Sequence, residues 1–544
     1  MLLASLAGMR ASLTTISLLA LSLAACSLTA DQPSGSAVPS DKADDFLSAS
    51  AYEYILESRT SITIEAELAN EPDEVKLARV KELIGYKQIA IGWFLTQFFI
   101  DKEHDAPNAE YGGLGGLAKG GAFEDFDVEA IDDVTYEFTF RQIVAGGRNL
   151  MGELDLNDLP DGKRGFDLEI GRPSNEELAK LETNNEWYRD APWSGWNPSQ
   201  VDASKKETLT LAMSLEKKST DAWFDYNSLF DDGRLTIDVH FGWDYHNDYH
   251  VKHAEAVFGW LEGKGFEAPV DTFEDLRRDS GSFTKTINAN GKDVEVEIRV
   301  FYGRSGSVTD PDTDEGGIVL ENDVRASFAD RDAIVYSGHS GPFYGFAMGN
   351  WRKTDEGDFD DSEMGSVQMP SERYQIVFAE GCDTYHIGEA LRSNPAKPEG
   401  AYLDVITTTS FSDASGPDAV QDFIARLIET DSDDQHLPRT MKSLLTDLDS
   451  NSYFFQTMYG IHGIDDNPAV HPYAKLENLC EPCGSNDECG GIGNLCIDIG
   501  TSGSHCAAAC TDDRGCPDDY ECAAVADSGR IYANACVPKS FTCQ

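Results

Sequence analysis

Between residues 219 and 477 the chain repeats one pattern: a short apolar strand, a turn, then an amphipathic stretch at helical spacing. "RLTIDVHFGW", "VEVEIRVFYG", "DAIVYSGHSG", "YQIVFAEGC" and "AYLDVITTTS" are the apolar runs. "YHVKHAEAVFGWLEGKGF", "IVLENDVRASFAD", "TYHIGEALRSN", "PDAVQDFIARLIE" and "RTMKSLLTDLDS" are the helical segments. Strands without polar alternation are buried on both faces, so the pattern predicts an α/β domain with a parallel sheet covered by helices. Functional groups of such sheets collect at the carboxyl ends of the strands.

The rest of the chain divides around this domain. Residues 1–25 read as a lipoprotein signal peptide: Arg10 precedes an apolar run too short to span a membrane, ending in Leu23-Ala24-Ala25-Cys26. This end resembles a bacterial lipobox, which implies lipidation at Cys26. An ordinary signal peptide cut nearby competes. With Ser27 next to Cys26, the resemblance implies the outer membrane or cell surface. Residues 26–50 are expected to be a flexible tether, and residues 51–218 an N-terminal α+β domain. In the latter, "EVKLARVKELIGYKQIAIGWFLTQFFI" predicts one or two buried helices, and "VTYEFTFRQIVAGG" and "FDLEIG" predict strands. The glycine-rich "YGGLGGLAKGG" lacks phosphate-loop spacing and is expected to be a plain loop.

Ten of the twelve cysteines lie in residues 478–544: Cys480, Cys483, Cys489, Cys496, Cys506, Cys510, Cys516, Cys522, Cys536 and Cys543. Two four-cysteine units repeat, from Cys483 to Cys506 and from Cys510 to Cys536. In an exported chain this predicts a disulfide-rich module with five bridges of undetermined connectivity; zinc ligation is the competing reading. The module resembles small Cys-rich units appended to bacterial surface proteins, which implies binding or spacing. Acidic residues outnumber basic ones 96 to 43, a formal net charge of −53. Such a surface disfavours nucleic acid and anionic membranes, leaving the N-terminal lipid as the expected membrane contact.

His339 and Cys382 each close an apolar strand. If those strands are parallel neighbours, imidazole and thiol share one rim, where a base can activate a thiol nucleophile. Gly338, Gly341 and Gly381 would let a substrate backbone approach. The backbone N–H groups of Ser340 or Gly341 and of Cys382 would form an oxyanion hole, worth roughly 3 kcal/mol per donor. The order "YSGHSG", a strand ending in cysteine, then "GEAL" and "GAYLDVITTTSFS" resembles the gingipain branch of the caspase–gingipain–clostripain cysteine peptidases. The resemblance spans about Arg234 to Glu429. It implies a caspase/hemoglobinase-like fold, His339 as acid/base, Cys382 as nucleophile and a protein or peptide substrate. The family usually has glycine after the histidine and Ala or Cys before the cysteine; here Ser340 and Gly381 stand in those places.

Other readings compete. "GHSGP" approaches a serine-hydrolase elbow at Ser340, but Pro342 takes the last small-residue position. His240, His246, His250 and His253 cluster, and His246 and His250 would share a helical face as zinc ligands, against the plainer reading of a polar helix start. Asp310, Asp312, Asp314 and Glu321 approach the spacing of a calcium loop, with glycine one place late; a solvated loop competes. Cys382 and His386 could join His339 on a metal. Cys–His chemistry itself requires no cofactor. The sequence therefore predicts a surface-anchored cysteine endopeptidase, against a catalytically inactive binding protein of the same fold or a metal-binding lipoprotein.

Overall fold

The computed structural model describes residues 46–105, 123–124, 127–180, 193, 195–216, 219–243, 248–304, 316–341, 345–349, 357–397, 400–412, 415–449, 457–500, 503–527 and 530–543. In the N-terminal region, β1 (Phe46–Ser48) is followed by β2 (Ala51–Thr63), α1 (Asp73–Asp105), β3 (Thr135–Gly147), β4 (Arg164–Gly171) and β5 (Lys206–Leu215). Strands β3, β2, β5 and β4 pair antiparallel in that order. The alternating burial of β2 and β3 gives this sheet one inward face. Helix α1 covers it with Val80, Leu83, Ile84, Ile91, Phe94, Leu95 and Phe99. Trp193 and Trp196 close this core against Phe94 at ring distances of 5.6 and 4.9 Å. Among the described residues no helix is long and apolar enough to cross a membrane.

The central domain contains β6 (Arg234–Phe241), α2 (Tyr249–Gly263), β7 (Phe283–Ala289), β8 (Lys292–Tyr302), α3 (Gly317–Asp330) and β9 (Ala333–Ser337). It continues with β10 (Gln375–Glu380), α4 (Tyr385–Arg392), β11 (Leu403–Thr408), α5 (Asp418–Leu427), α6 (Met441–Asp449) and β12 (Tyr459–His462). These strands form one eight-stranded sheet in the order β1-β12-β11-β10-β9-β6-β8-β7. The run from β8 to β11 is parallel; β7, β12 and β1 are antiparallel additions at the edges.

Alternating side chains of the inner strands serve two cores. Val335, Ile376, Phe378 and Ile406 meet α2, α5 and α6 on one face. Ile334, Tyr336, Val377, Ala379 and Val405 meet α3 and α4 on the other. Each large apolar side chain so buried stabilises the fold by about 1.5–3 kcal/mol. The parallel sheet read from the sequence is therefore observed.

One reading changes. The tether expected over residues 26–50 ends in a strand: β1 pairs with β12, Phe46 opposite His462. Gly460 makes room, since a Cβ there would lie 2.1 Å from the Phe46 ring. The helical spacing at "EVKLARVKELIGYKQIAIGWFLTQFFI" yields one uninterrupted helix. "YGGLGGLAKGG" lies outside the described residues.

The C-terminal module is a four-stranded antiparallel sheet of β13 (Asn494–Asp498), β14 (Ser504–Ala509), β15 (Tyr520–Asp527) and β16 (Arg530–Pro538), ordered β13-β14-β16-β15. All ten cysteines are bridged: Cys480–Cys543, Cys483–Cys496, Cys489–Cys506, Cys510–Cys522 and Cys516–Cys536. Each repeat joins its first cysteine to its third and its second to its fourth. Each also places its third opposite its fourth in a hairpin, Cys496 with Cys506 and Cys522 with Cys536. The sequence repeat is thus a structural duplication closed by Cys480–Cys543. The module is seated on the central domain: His471 N–H donates to the Ala509 carbonyl, Thr511 N–H to the Ala469 carbonyl, and the Thr220 hydroxyl to Asp512 at 2.8 Å.

Candidate active site

Strands β9 and β10 are parallel neighbours, with Ser337 opposite Glu380. Their tips therefore leave the sheet side by side. Beyond the last paired residues, Gly338 N–H donates to the Glu380 carbonyl at 3.3 Å, and the Ser340 hydroxyl donates to the Cys382 carbonyl at 2.7 Å. The structure thus brings the chain segments carrying His339 and Cys382 to one rim. Cys382 is half-buried and is in no disulfide.

His339 is held by its main chain. Its N–H donates to the Trp243 carbonyl at 3.3 Å, and its carbonyl accepts from Ala347 N–H at 3.1 Å and from the Tyr336 hydroxyl at 2.5 Å. The Trp243 ring meets the imidazole edge-on at 5.7 Å. Tyr336 is fully buried and stacked on Phe346 at 4.1 Å.

The glycines at this rim serve the protein's own packing. A Cβ at Gly338 would lie 2.7 Å from the Tyr336 hydroxyl, and one at Gly242 only 2.4 Å from it. A Cβ at Gly381 would lie 2.2 Å from the Ser340 hydroxyl. The sequence reading gave Gly338 and Gly381 to substrate approach; the space is occupied from within.

The Cys382 turn is anchored from the other side as well. Thr408 on β11 donates its hydroxyl to the Gly381 carbonyl at 2.5 Å, and Asp383 N–H donates to the Ser410 carbonyl at 3.0 Å. Asp383 has φ 51°, a left-handed conformation that aspartate tolerates better than most residues. Its side chain is buried, and burial pushes its carboxyl up to about 7.

Ser340 is buried and lies in a short β-ribbon with Phe346, where its hydroxyl is engaged by Cys382. That is no strand-to-helix elbow, and the serine-hydrolase reading is set aside. Gly341 pairs with Gly345 in the same ribbon.

The metal readings find little support. His386 directs Nδ1 to the Asp383 carbonyl at 3.1 Å. Among the described residues, His339, Cys382 and His386 form no ligand cluster. The clusters found among the described residues are Cys483, Cys489 and Cys506, and Cys510, Cys516 and Cys536. All six sulfurs are in disulfides, which leaves no thiolate for zinc.

His246 lies outside the described residues. His250 is buried in the first turn of α2. His240 is buried, bonded to Ser327 at 2.9 Å and stacked on Phe301, and burial lowers it to about 4. Asp310, Asp312 and Asp314 lie outside the described residues. Glu321 is buried within α3 and paired with Arg325 at 2.7 Å, so this carboxylate serves an ion pair of the fold. Cys26 also lies outside the described residues.

Sequence reasoning missed Trp243, Tyr336 and Asp383 as supports of the site. Trp243 had a usable signal, since it follows the "HFG" end of β6 at the same rim. Tyr336 and Asp383 look like ordinary strand and turn residues. Comparison with known proteins finds no matching family, no matching curated protein and no matching solved structure.

Proposed function

We propose that the protein is a cysteine peptidase of caspase/gingipain-like type that acts outside the cytoplasm from a lipid anchor at Cys26. In this reading the Cys382 thiolate attacks the scissile carbonyl, and His339 gives a proton to the leaving amine. Water then attacks the thioester as His339 takes its proton, which releases the acid and restores the thiol. The Cys382 N–H and an N–H of Ser340 or Gly341 would face the developing oxyanion.

The observation that carries the proposal is the adjacency of the β9 and β10 tips, with the Ser340 hydroxyl bonded to the Cys382 carbonyl. The five bridges of the tail fit an oxidising compartment. In that setting Cys382 stays out of every disulfide. A protein or peptide is the substrate class, and Cys–His chemistry needs no metal.

The test uses a thiol-directed peptidyl inhibitor and a peptide library on the full chain. Labelling at Cys382 alone, with labelling and hydrolysis both lost in His339→Ala, supports the proposal. Equal labelling of both proteins without hydrolysis supports a binding protein on the same fold.

A further inference from the structure

We propose that Ser340 and Gly381 act as a matched pair, with Ser340 the positioning residue that sets Cys382. The Ser340 side chain fills the space that a side chain at position 381 would need. A Cβ on Gly381 would lie 2.2 Å from the Ser340 Oγ, 2.9 Å from its Cβ and 3.0 Å from the Gly338 carbonyl oxygen. From that seat the hydroxyl donates to the Cys382 carbonyl at 2.7 Å.

Hydroxyls from both neighbouring strands thereby grip two successive carbonyls of the nucleophile turn. Thr408 of β11 holds Gly381, and Ser340, just beyond β9, holds Cys382. The regular β9–β10 pairing stops at Ser337 and Glu380. The Ser340 bond therefore links the two tips where the ladder no longer does. Ser340 is also adjacent in sequence to His339, so the bond fixes the histidine segment relative to the cysteine turn. Two residues that look like independent departures from the peptidase pattern are one arrangement in space. Its catalytic meaning rests on the peptidase reading; its steric and positional content does not.

The experiment is a double-mutant cycle on the full chain: Ser340→Gly, Gly381→Ala and their combination, with Ser340→Ala added. The readouts are the rate of Cys382 alkylation by iodoacetamide across about pH 5 to 9, thermal unfolding and hydrolysis of a peptide library. Gly381→Ala is expected to slow alkylation, or to prevent folding, in the Ser340 background and to do so at least about tenfold less beside Ser340→Gly. Ser340→Ala keeps the Cβ and loses the hydroxyl. It should move the pH profile of alkylation toward that of an ordinary thiol while melting stays close to wild type.

An effect of Gly381→Ala that is the same in both backgrounds overturns the pairing. An unchanged profile in Ser340→Ala overturns the positioning role. If Gly381→Ala folds in neither background, the Ser340→Ala profile decides. The predicted coupling in a protein that hydrolyses no peptide would uphold the pair and remove the peptidase reading.

Discussion

Ser337 and Glu380 face each other as the last paired residues of β9 and β10, and the Ser337 hydroxyl donates to the Glu380 carboxylate at 2.7 Å. Both side chains are buried. A buried carboxylate deprived of a donor costs about 1–3 kcal/mol. Ser337→Ala is predicted to lower stability in urea by that amount. Combining it with Glu380→Gln should cost less than the two single losses added together. Strict additivity would show that the pair does not act as a unit.

The tail predicts a chemical pattern. Before reduction, alkylation of the native protein should spare all ten tail cysteines; after denaturation and reduction all ten should react. Disulfide-linked peptides should join Cys483 to Cys496 and Cys489 to Cys506, with the same alternation in the second repeat. Adjacent pairing, such as Cys483 with Cys489, would contradict the duplication.

The N-terminal arm should matter to the central domain. Phe46 is buried, packs on His462 at 4.9 Å and on Tyr385 at 5.4 Å, and covers Gly460. Tyr385 in turn donates its hydroxyl to Glu53. Phe46→Ala should destabilise by ~3–5 kcal/mol and raise amide exchange across β12. An effect within a few tenths of a kcal/mol would return this segment to the status of a tether.

Asp449 gives a pH dependence with a definite sign. Burial pushes its carboxyl up to about 7, although it accepts the Tyr459 N–H at 2.9 Å. The folded state therefore holds a proton that the unfolded chain releases near its ordinary pKa of about 4. The stability from this group is present in acid, falls as pH rises from about 4, and is fully lost above about 7. Asp449→Asn should remove that slope and exceed wild type above pH ~7 in chemical denaturation. An unchanged slope would show that Asp449 ionises normally.

Much of the central sheet was legible because β9 and β10 carry the uninterrupted apolar runs of strands between two helical layers, and because β6, β8 and β11 place regularly spaced apolar residues between helical segments. The edge strands β1, β7 and β12 were not. "FLS" and "YGIH" are too short to show a period, and their pairing depends on distant partners. The repeat in cysteine spacing revealed the duplication but not its bridges, since spacing alone leaves connectivity open. At the candidate site, the placement of His339 and Cys382 just beyond neighbouring strand tips was legible. The reason for the glycines was not, because the groups that crowd them, Tyr336 and Ser340, reach them only in three dimensions.

The most direct test of the central claim is the pH profile of Cys382 alkylation in wild type and in His339→Gln. The account predicts that wild type reacts well below the ordinary thiol pKa of about 8.5 and that the variant reverts to it. Identical profiles in the two proteins would contradict it.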